Sequence, residues 1–147
     1  MIRTTCLGFG LALMASVATA QEAAMPADLT AWAGAWRASD EQEITITVDK
    51  KALDIEGFAT WGASDPGRVE RGGVNVGEIT ARVPRSWIEE DRLAFFIGDD
   101  GAEQLGMNDD EYSCIVEMEL RDDVLVVGDN NMCGGMNVTF SGEYVRE

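Results

Sequence analysis

Short segments in which apolar and polar residues alternate one by one run through most of this chain. Ile44, Ile46 and Val48 are separated by threonines, and Leu53 and Ile55 begin a second such run. Because successive side chains of a β-strand point to opposite faces, this period predicts strands with one buried face. No window shows a sustained helical period with capping residues. The predicted strands comprise residues 30–38, 44–48, 53–60, 79–83, 93–97, 114–120, 124–127 and 138–144.

About eight short strands joined by turns define the fold class. An antiparallel meander with one apolar face must either close on itself or fold into two packed sheets, and closure removes the exposed edges. The sequence therefore predicts an all-β protein, an antiparallel eight-stranded up-and-down barrel that forms a single domain over residues 29–147. One helical turn is expected within residues 84–90, where Trp87 and Ile88 precede a run of acids.

The first residues have the pattern of a secretory signal. Arg3 supplies a positive start, an apolar run follows, and Ala18-Thr19-Ala20 is typical of a cleavage site. The run is shorter than the roughly 20 apolar residues that span a bilayer. We therefore expect residues 1–20 to be a signal peptide and residues 21–28 a disordered lead-in. The protein is expected to be soluble and periplasmic or secreted, with no membrane span.

Two cysteines remain after the predicted cleavage, Cys114 and Cys133. An even cysteine count in an oxidising compartment predicts a disulfide. If Asp122-Asp123 is a two-residue hairpin turn, Cys114 pairs with Asn131, two residues from Cys133 and within reach of a bond. The chain has no histidine, so a zinc or copper site at the cysteines is not expected.

The chain is strongly acidic, with a net charge of −16. This charge argues against nucleic acid and anionic membrane surfaces as partners, and favours cationic ones. Ten acidic residues stand against one basic residue, Arg121, between positions 99 and 123. This stretch is either a solvated loop or an electrostatic binding surface. The candidate partner-binding residues are Asp99, Asp100, Asp109, Asp110 and Glu111.

Calcium is a second hypothesis for the acidic turns. Residues 99–101, 108–111 and 129–131 are rich in the oxygen ligands that calcium prefers. None of them has the spacing of a twelve-residue calcium loop, and Asp and Asn side chains often bond their own backbone in turns. The sequence therefore predicts no metal and no cofactor.

Catalytic patterns are weak in this sequence. Without histidine, a Ser-His-Asp or Cys-His arrangement cannot form. A carboxylate pair for glycoside hydrolysis needs two acids at a defined separation, and nothing in the sequence singles out two. The chain is therefore predicted not to be an enzyme.

The segment Trp32-Ala33-Gly34-Ala35-Trp36-Arg37 resembles the Gly-x-Trp first strand of the calycins, the lipocalin and avidin group. In that group the tryptophan closes one end of the barrel, and an arginine of the last strand often packs over it. The resemblance implies these roles for Trp36 and Arg146, the latter through a cation–π contact. The residues by which avidins hold biotin are not recognisable, so biotin binding is not implied.

The block Asp129-Asn130-x-x-Cys133-Gly134-Gly135-x-Asn137-Val138 is similar to a C-terminal signature of small exported bacterial proteins, some of them grouped with periplasmic lysozyme inhibitors. Those inhibitors are small disulfide-bearing β-barrels that place loops in the cleft of a cationic lysozyme. The two resemblances imply a structural signature formed by Gly34, Trp36, Asp129, Asn130, Gly134, Gly135 and Arg146.

Two binding hypotheses follow. The first is an exported acidic protein that inhibits a cationic lysozyme-type hydrolase, with the loop of residues 99–111 steering the encounter. Trp61 and Trp87, if exposed, would anchor such a contact. The alternative is a lipocalin-like carrier of a small apolar ligand, since an eight-stranded barrel either fills its interior or holds one small molecule. Five side chains would either line such a pocket or form the core of a filled barrel: Trp36, Trp61, Phe95, Met118 and Phe140.

Overall fold

The computed structural model describes residues 28–106 and 112–147. The predicted signal peptide and residues 21–27 of the predicted lead-in lie outside this range. Within it, no helix is long and apolar enough to cross a membrane. The described residues form nine strands: β1 (Gly34–Ser39), β2 (Gln42–Val48), β3 (Ala52–Trp61), β4 (Asn75–Pro84), β5 (Arg92–Gly98), β6 (Gly101–Gln104), β7 (Cys114–Arg121), β8 (Val124–Asp129) and β9 (Gly142–Arg146).

All strands belong to one antiparallel sheet in the order β4-β3-β2-β1-β9-β8-β7-β5-β6. The edge strands β4 and β6 approach each other, so the sheet forms a nearly closed barrel. The prediction of an all-β antiparallel barrel is confirmed, but the strand count of eight is wrong. The additional strand, β6, pairs with β5 on the side opposite β7, so the meander is interrupted there.

The first and last predicted strands begin later than expected. Residues Leu29–Trp32 form a 3-10 turn, capped by the Asp28 carboxylate, before β1 starts. The predicted last strand starts at residue 138, whereas β9 starts at Gly142. The helical turn predicted near Trp87 is present as the 3-10 turn Arg85–Trp87. A short helix, α1 (Pro66–Glu70), was not predicted; the Asp65 side chain caps it.

The interior of the barrel is filled by large side chains. The aromatic residues of the core have no exposed surface, and aliphatic residues from all the long strands surround them. Packing of this kind supplies most of the hydrophobic stabilisation of a small domain. The fully buried aromatic side chains are Trp32, Trp36, Phe95, Phe140 and Tyr144.

One end of the barrel is closed around Trp36. Its indole nitrogen donates a hydrogen bond to the Trp32 carbonyl at 3.0 Å, and the Arg146 guanidinium lies 4.3 Å from the ring centroid. Arg146 also donates to the carbonyls of Ala31 and Ala33. A Cβ atom on Gly34 would lie 3.1 Å from the Arg146 guanidinium, and the φ of Gly34 is +146°, so glycine is required there. The cation–π contact predicted for Arg146 is therefore present.

The opposite end is closed by residues 130–141 and the disulfide. Cys114 and Cys133 are bonded, with their Cα atoms 4.6 Å apart, as predicted. The hairpin register is also confirmed, since Val116 pairs with Asp129. Gly134 packs so closely on Gly77 of β4 that a Cβ on Gly134 would lie 2.8 Å from the Gly77 Cα.

Hydrogen bonds of Asp129, Asn130 and Gly135 hold the same segment in place. One Asp129 carboxylate oxygen accepts hydrogen bonds from the Thr139 hydroxyl at 2.6 Å and the Ser141 amide at 3.1 Å. The Asn130 side chain accepts from the Ile115 amide at 3.1 Å, and the Gly135 amide donates to a β4 carbonyl at 3.0 Å. These three residues of the predicted signature therefore stabilise the fold by fixing the segment that closes this end of the barrel.

Candidate functional site

Of the two roles that the sequence leaves open for the five side chains, pocket lining or core, the structure shows the core for four. Trp36, Phe95 and Phe140 have no exposed surface, and Met118 is 2% exposed. Trp61 is half-buried at the rim of the core, and the Arg68 guanidinium covers its ring at 3.9 Å. A small apolar ligand inside the barrel would have to displace these contacts.

The acidic residues predicted to bind a partner are only partly described. Asp99 and Asp100 are exposed in the turn between β5 and β6. Asp109, Asp110 and Glu111 lie outside the described residues. Among the residues that the structure describes, no group of three or more carboxylates, cysteines or histidines is arranged to hold a metal ion.

An exposed aromatic residue stands among carboxylates on the outer face of β2, β3 and β4. Phe58 of β3 is 41% exposed. Its direct cross-strand neighbours are Glu43 of β2 and Glu78 of β4, and Glu56 precedes it by two residues on the same face. We call these four residues the acidic face. Grooves of about 250 Å³ and about 190 Å³ flank the ring, and Glu43 and Phe58 line both of them.

Two arginines near the acidic face are already paired with carboxylates, and one of these carboxylates, Glu43, belongs to the acidic face itself. Arg82 of β4 contacts Asp49 and Asp54, the latter at 2.6 Å, and its hydrogen bond lowers the pKa of Asp49 to about 2. Arg37 of β1 lies 2.6 Å from Glu147 and 3.4 Å from Glu43.

Glu56 and Glu78 form no ion pair within the described part of the chain. The acidic face therefore carries negative charge that the fold does not neutralise.

Sequence reasoning missed the acidic face, although one sign of it was present. Phe58 occupies the polar phase of β3, between Glu56 and Thr60, where a soluble barrel ordinarily exposes hydrophilic side chains. Glu43 and Glu78 meet Phe58 only through the pairing of β2 and β4 with β3. That pairing is not visible in any one segment.

A larger groove, of about 700 Å³, lies across the outer side of β5, β7 and β8. Trp87 lines it and is half-buried against the core, so it is less available as an anchor than predicted. Glu119, in the same groove, contacts Arg92 at 2.8 Å and Arg121 at 2.6 Å. Hydrogen bonds from Arg121 and Arg92 lower the pKa of Glu119 to about 2. The charge of this groove is therefore largely balanced, unlike that of the acidic face.

The ion pairs of Glu119 with Arg92 and Arg121 should make the free energy of unfolding depend on pH. A carboxylate whose pKa is lower in the folded state than the ordinary 4.5 stabilises the fold above that value, and this contribution is lost as the pH falls towards about 2. Glu119→Gln is therefore expected to be less stable than the native protein at pH 7, and the difference should vanish near pH 2. Urea unfolding across this range would measure it.

Glu117→Gln is the matched control, because Glu117 lies on the same strand face and makes no ion pair among the described residues. Glu117→Gln is expected to change the free energy of unfolding at pH 7 by less than Glu119→Gln does, because it breaks no ion pair among the described residues. A Glu119→Gln difference that stays constant from pH 7 to pH 2 would contradict the assignment.

Comparisons of this chain with protein-family models, curated proteins and solved structures find no match. The resemblances to calycins and to lysozyme inhibitors therefore remain predictions.

Proposed function

We propose that this protein is an exported acidic binding protein that holds a cationic protein on the outer surface of its barrel. A lysozyme-type hydrolase is the first candidate partner. The observation that carries the proposal is the acidic face, where an exposed aromatic ring stands among three glutamates. Two of them, Glu56 and Glu78, form no ion pair among the described residues. Exposed aromatic residues are frequent anchors of protein interfaces. The negative charges around such an anchor select a partner that carries positive charge.

The position of the turn that carries Asp99 and Asp100 also supports the proposal that this side of the barrel binds a cationic partner. β3 and β5 run in the same direction around the barrel, so the turn after β5 lies at the end where β3 finishes. β6, which follows this turn, adjoins β4 of the acidic face. Asp99 and Asp100 thus extend the negative surface around the barrel. Such a field accelerates encounter with a cationic protein, and salt weakens the effect.

The filled interior and the carboxylate chemistry favour binding over carriage or catalysis. Phe95 and Phe140 are fully buried in the core, and a ligand in their place would have to displace them. Hydrogen bonds from arginines lower the pKa of Asp49 and of Glu119 to about 2 and so hold both carboxylates ionised. An acid held ionised at neutral pH is unsuited to donating a proton in catalysis.

A bacterial lysis assay tests the proposal. Purified protein in micromolar excess is expected to slow lysis by a cationic lysozyme at low ionic strength, and added salt should restore the lysis rate. Titration calorimetry should show binding that weakens with salt in the same way. An acidic hydrolase is the control and should be unaffected. Full lysis at low salt together with no heat of binding would overturn the proposal.

A further inference from the structure

We propose that the acidic face binds an arginine side chain of the partner, with the guanidinium stacked on the Phe58 ring and hydrogen-bonded to Glu56 and Glu78. This inference rests on the proposed function, because it identifies the chemical group that the acidic face recognises.

The strand register places the carboxylates where a stacked guanidinium would need them. Glu43 and Glu78 are directly opposite Phe58 on the two neighbouring strands, a relation that separates Cβ atoms by about 4.5–5.5 Å. Glu56 lies two residues along β3, about 7 Å away. A cation over the ring would therefore meet carboxylates on three sides. Since all four residues lie on paired strands, their backbone positions are fixed before the partner arrives.

At another aromatic residue, Trp61, the chain itself supplies both the arginine and the carboxylate of such an arrangement. The Arg68 guanidinium lies 3.9 Å from the centroid of Trp61, and its Nε atom is 3.5 Å from the Asp65 carboxylate. An aromatic face, a guanidinium and a carboxylate are thus assembled on the protein surface. At Phe58 the ring and the carboxylates are in place, and no described arginine lies over the ring. The missing member of the set is a guanidinium.

The chemistry of the acidic face distinguishes arginine from lysine. A guanidinium is planar and weakly hydrated, so it stacks on an aromatic ring while its edge donates to carboxylates. An ammonium group is a compact, strongly hydrated charge that gains less from the ring. Glutamates alone would attract both cations, and Phe58 supplies the preference.

Two peptides that differ only in arginine or lysine at the basic positions test the inference. Titration calorimetry with the whole protein at low ionic strength should show tighter binding of the arginine peptide, by about two- to five-fold, as expected for an exposed cation–π contact. Phe58→Ala should remove this preference and leave the affinity for the lysine peptide nearly unchanged. Glu56→Gln with Glu78→Gln should weaken both peptides.

Two variants serve as matched controls. Asp122→Asn with Asp123→Asn also removes two negative charges, but in the turn between β7 and β8 at the opposite end of the barrel. Val145→Ala truncates another exposed apolar residue, 58% exposed on β9. Both are expected to keep the preference for arginine. Unfolding curves should be measured for all variants to check that each one is folded.

The outcomes separate this inference from the proposed function. Equal affinity of the native protein for the two peptides, or equal losses for both peptides in Phe58→Ala, overturns the arginine site. Lysozyme binding that persists unchanged in Phe58→Ala also overturns it and leaves the proposed function standing. A preference for arginine that depends on Phe58, without any binding of lysozyme, supports the site and counts against that hydrolase as the partner.

Discussion

Replacing Trp36 with alanine is expected to lower the free energy of unfolding by about 3–5 kcal/mol, the range for a fully buried large aromatic side chain. The indole ring has no exposed surface and closes one end of the barrel. The substitution also removes the hydrogen bond to the Trp32 carbonyl and the surface on which Arg146 stacks. Urea unfolding followed by circular dichroism would measure the loss.

Two substitutions test the reason for this effect. Trp36→Phe retains an aromatic ring and removes the indole donor, so it should fall between the native protein and Trp36→Ala. Trp61→Ala truncates a half-buried tryptophan at the rim of the core and should cost less than half as much. A loss below about 1 kcal/mol in Trp36→Ala would contradict the role of this residue, because core truncations of this size exceed that value.

Removing the disulfide is expected to lower the free energy of unfolding by about 3 kcal/mol, the chain-entropy value for a loop of this length. The bond joins residues 19 positions apart and ties the segment that closes the second barrel end to the start of β7. The double substitution Cys114→Ser with Cys133→Ser and chemical reduction of the native protein should give similar unfolding curves.

The double variant is itself the control for reduction, because a reductant should leave its urea midpoint unchanged. A native protein whose midpoint is the same with and without reductant would contradict the stabilising role of the bond. Partial loss would indicate that the hydrogen bonds of Asp129 and Asn130 hold residues 130–141 without the bond.

The predicted strands were accurate where apolar alternation is uninterrupted and a short turn fixes the register. The Asp122-Asp123 turn correctly placed Leu120 opposite Leu125. β6 was missed because residues 101–104 show no alternation of apolar and polar residues; it forms by pairing with β5.

Residues 138–141 alternate like a strand, and Val138 and Phe140 are indeed buried. Their backbone, however, follows Asn137, whose φ is +67°. Ser141 bonds to the Asp129 side chain before β9 begins. Side-chain hydrogen bonds of this kind compete with a strand ladder and leave no periodic trace in a sequence.

The candidate site shows the same division between local and non-local information. The acidic turn at positions 99 and 100 is visible in the local sequence, since the two acids are adjacent in the chain, and the structure shows both exposed. Their part in binding stays a prediction. The acidic face needed the pairing of β2 with β3 and of β3 with β4, which brings together positions 43, 58 and 78. A phenylalanine in the polar phase of a strand is a local signal that points to such a surface.

The odd number of strands has a geometric consequence for the barrel. When every neighbouring pair in a nine-stranded sheet is antiparallel, the first and last strands in the order point the same way. The edge strands β4 and β6 therefore run in the same direction, so the antiparallel hydrogen-bond pattern cannot continue from one to the other. The barrel is consequently not closed by strand pairing between β4 and β6. Lateral opening of the barrel would begin between these two strands, beside the strand that carries Glu78.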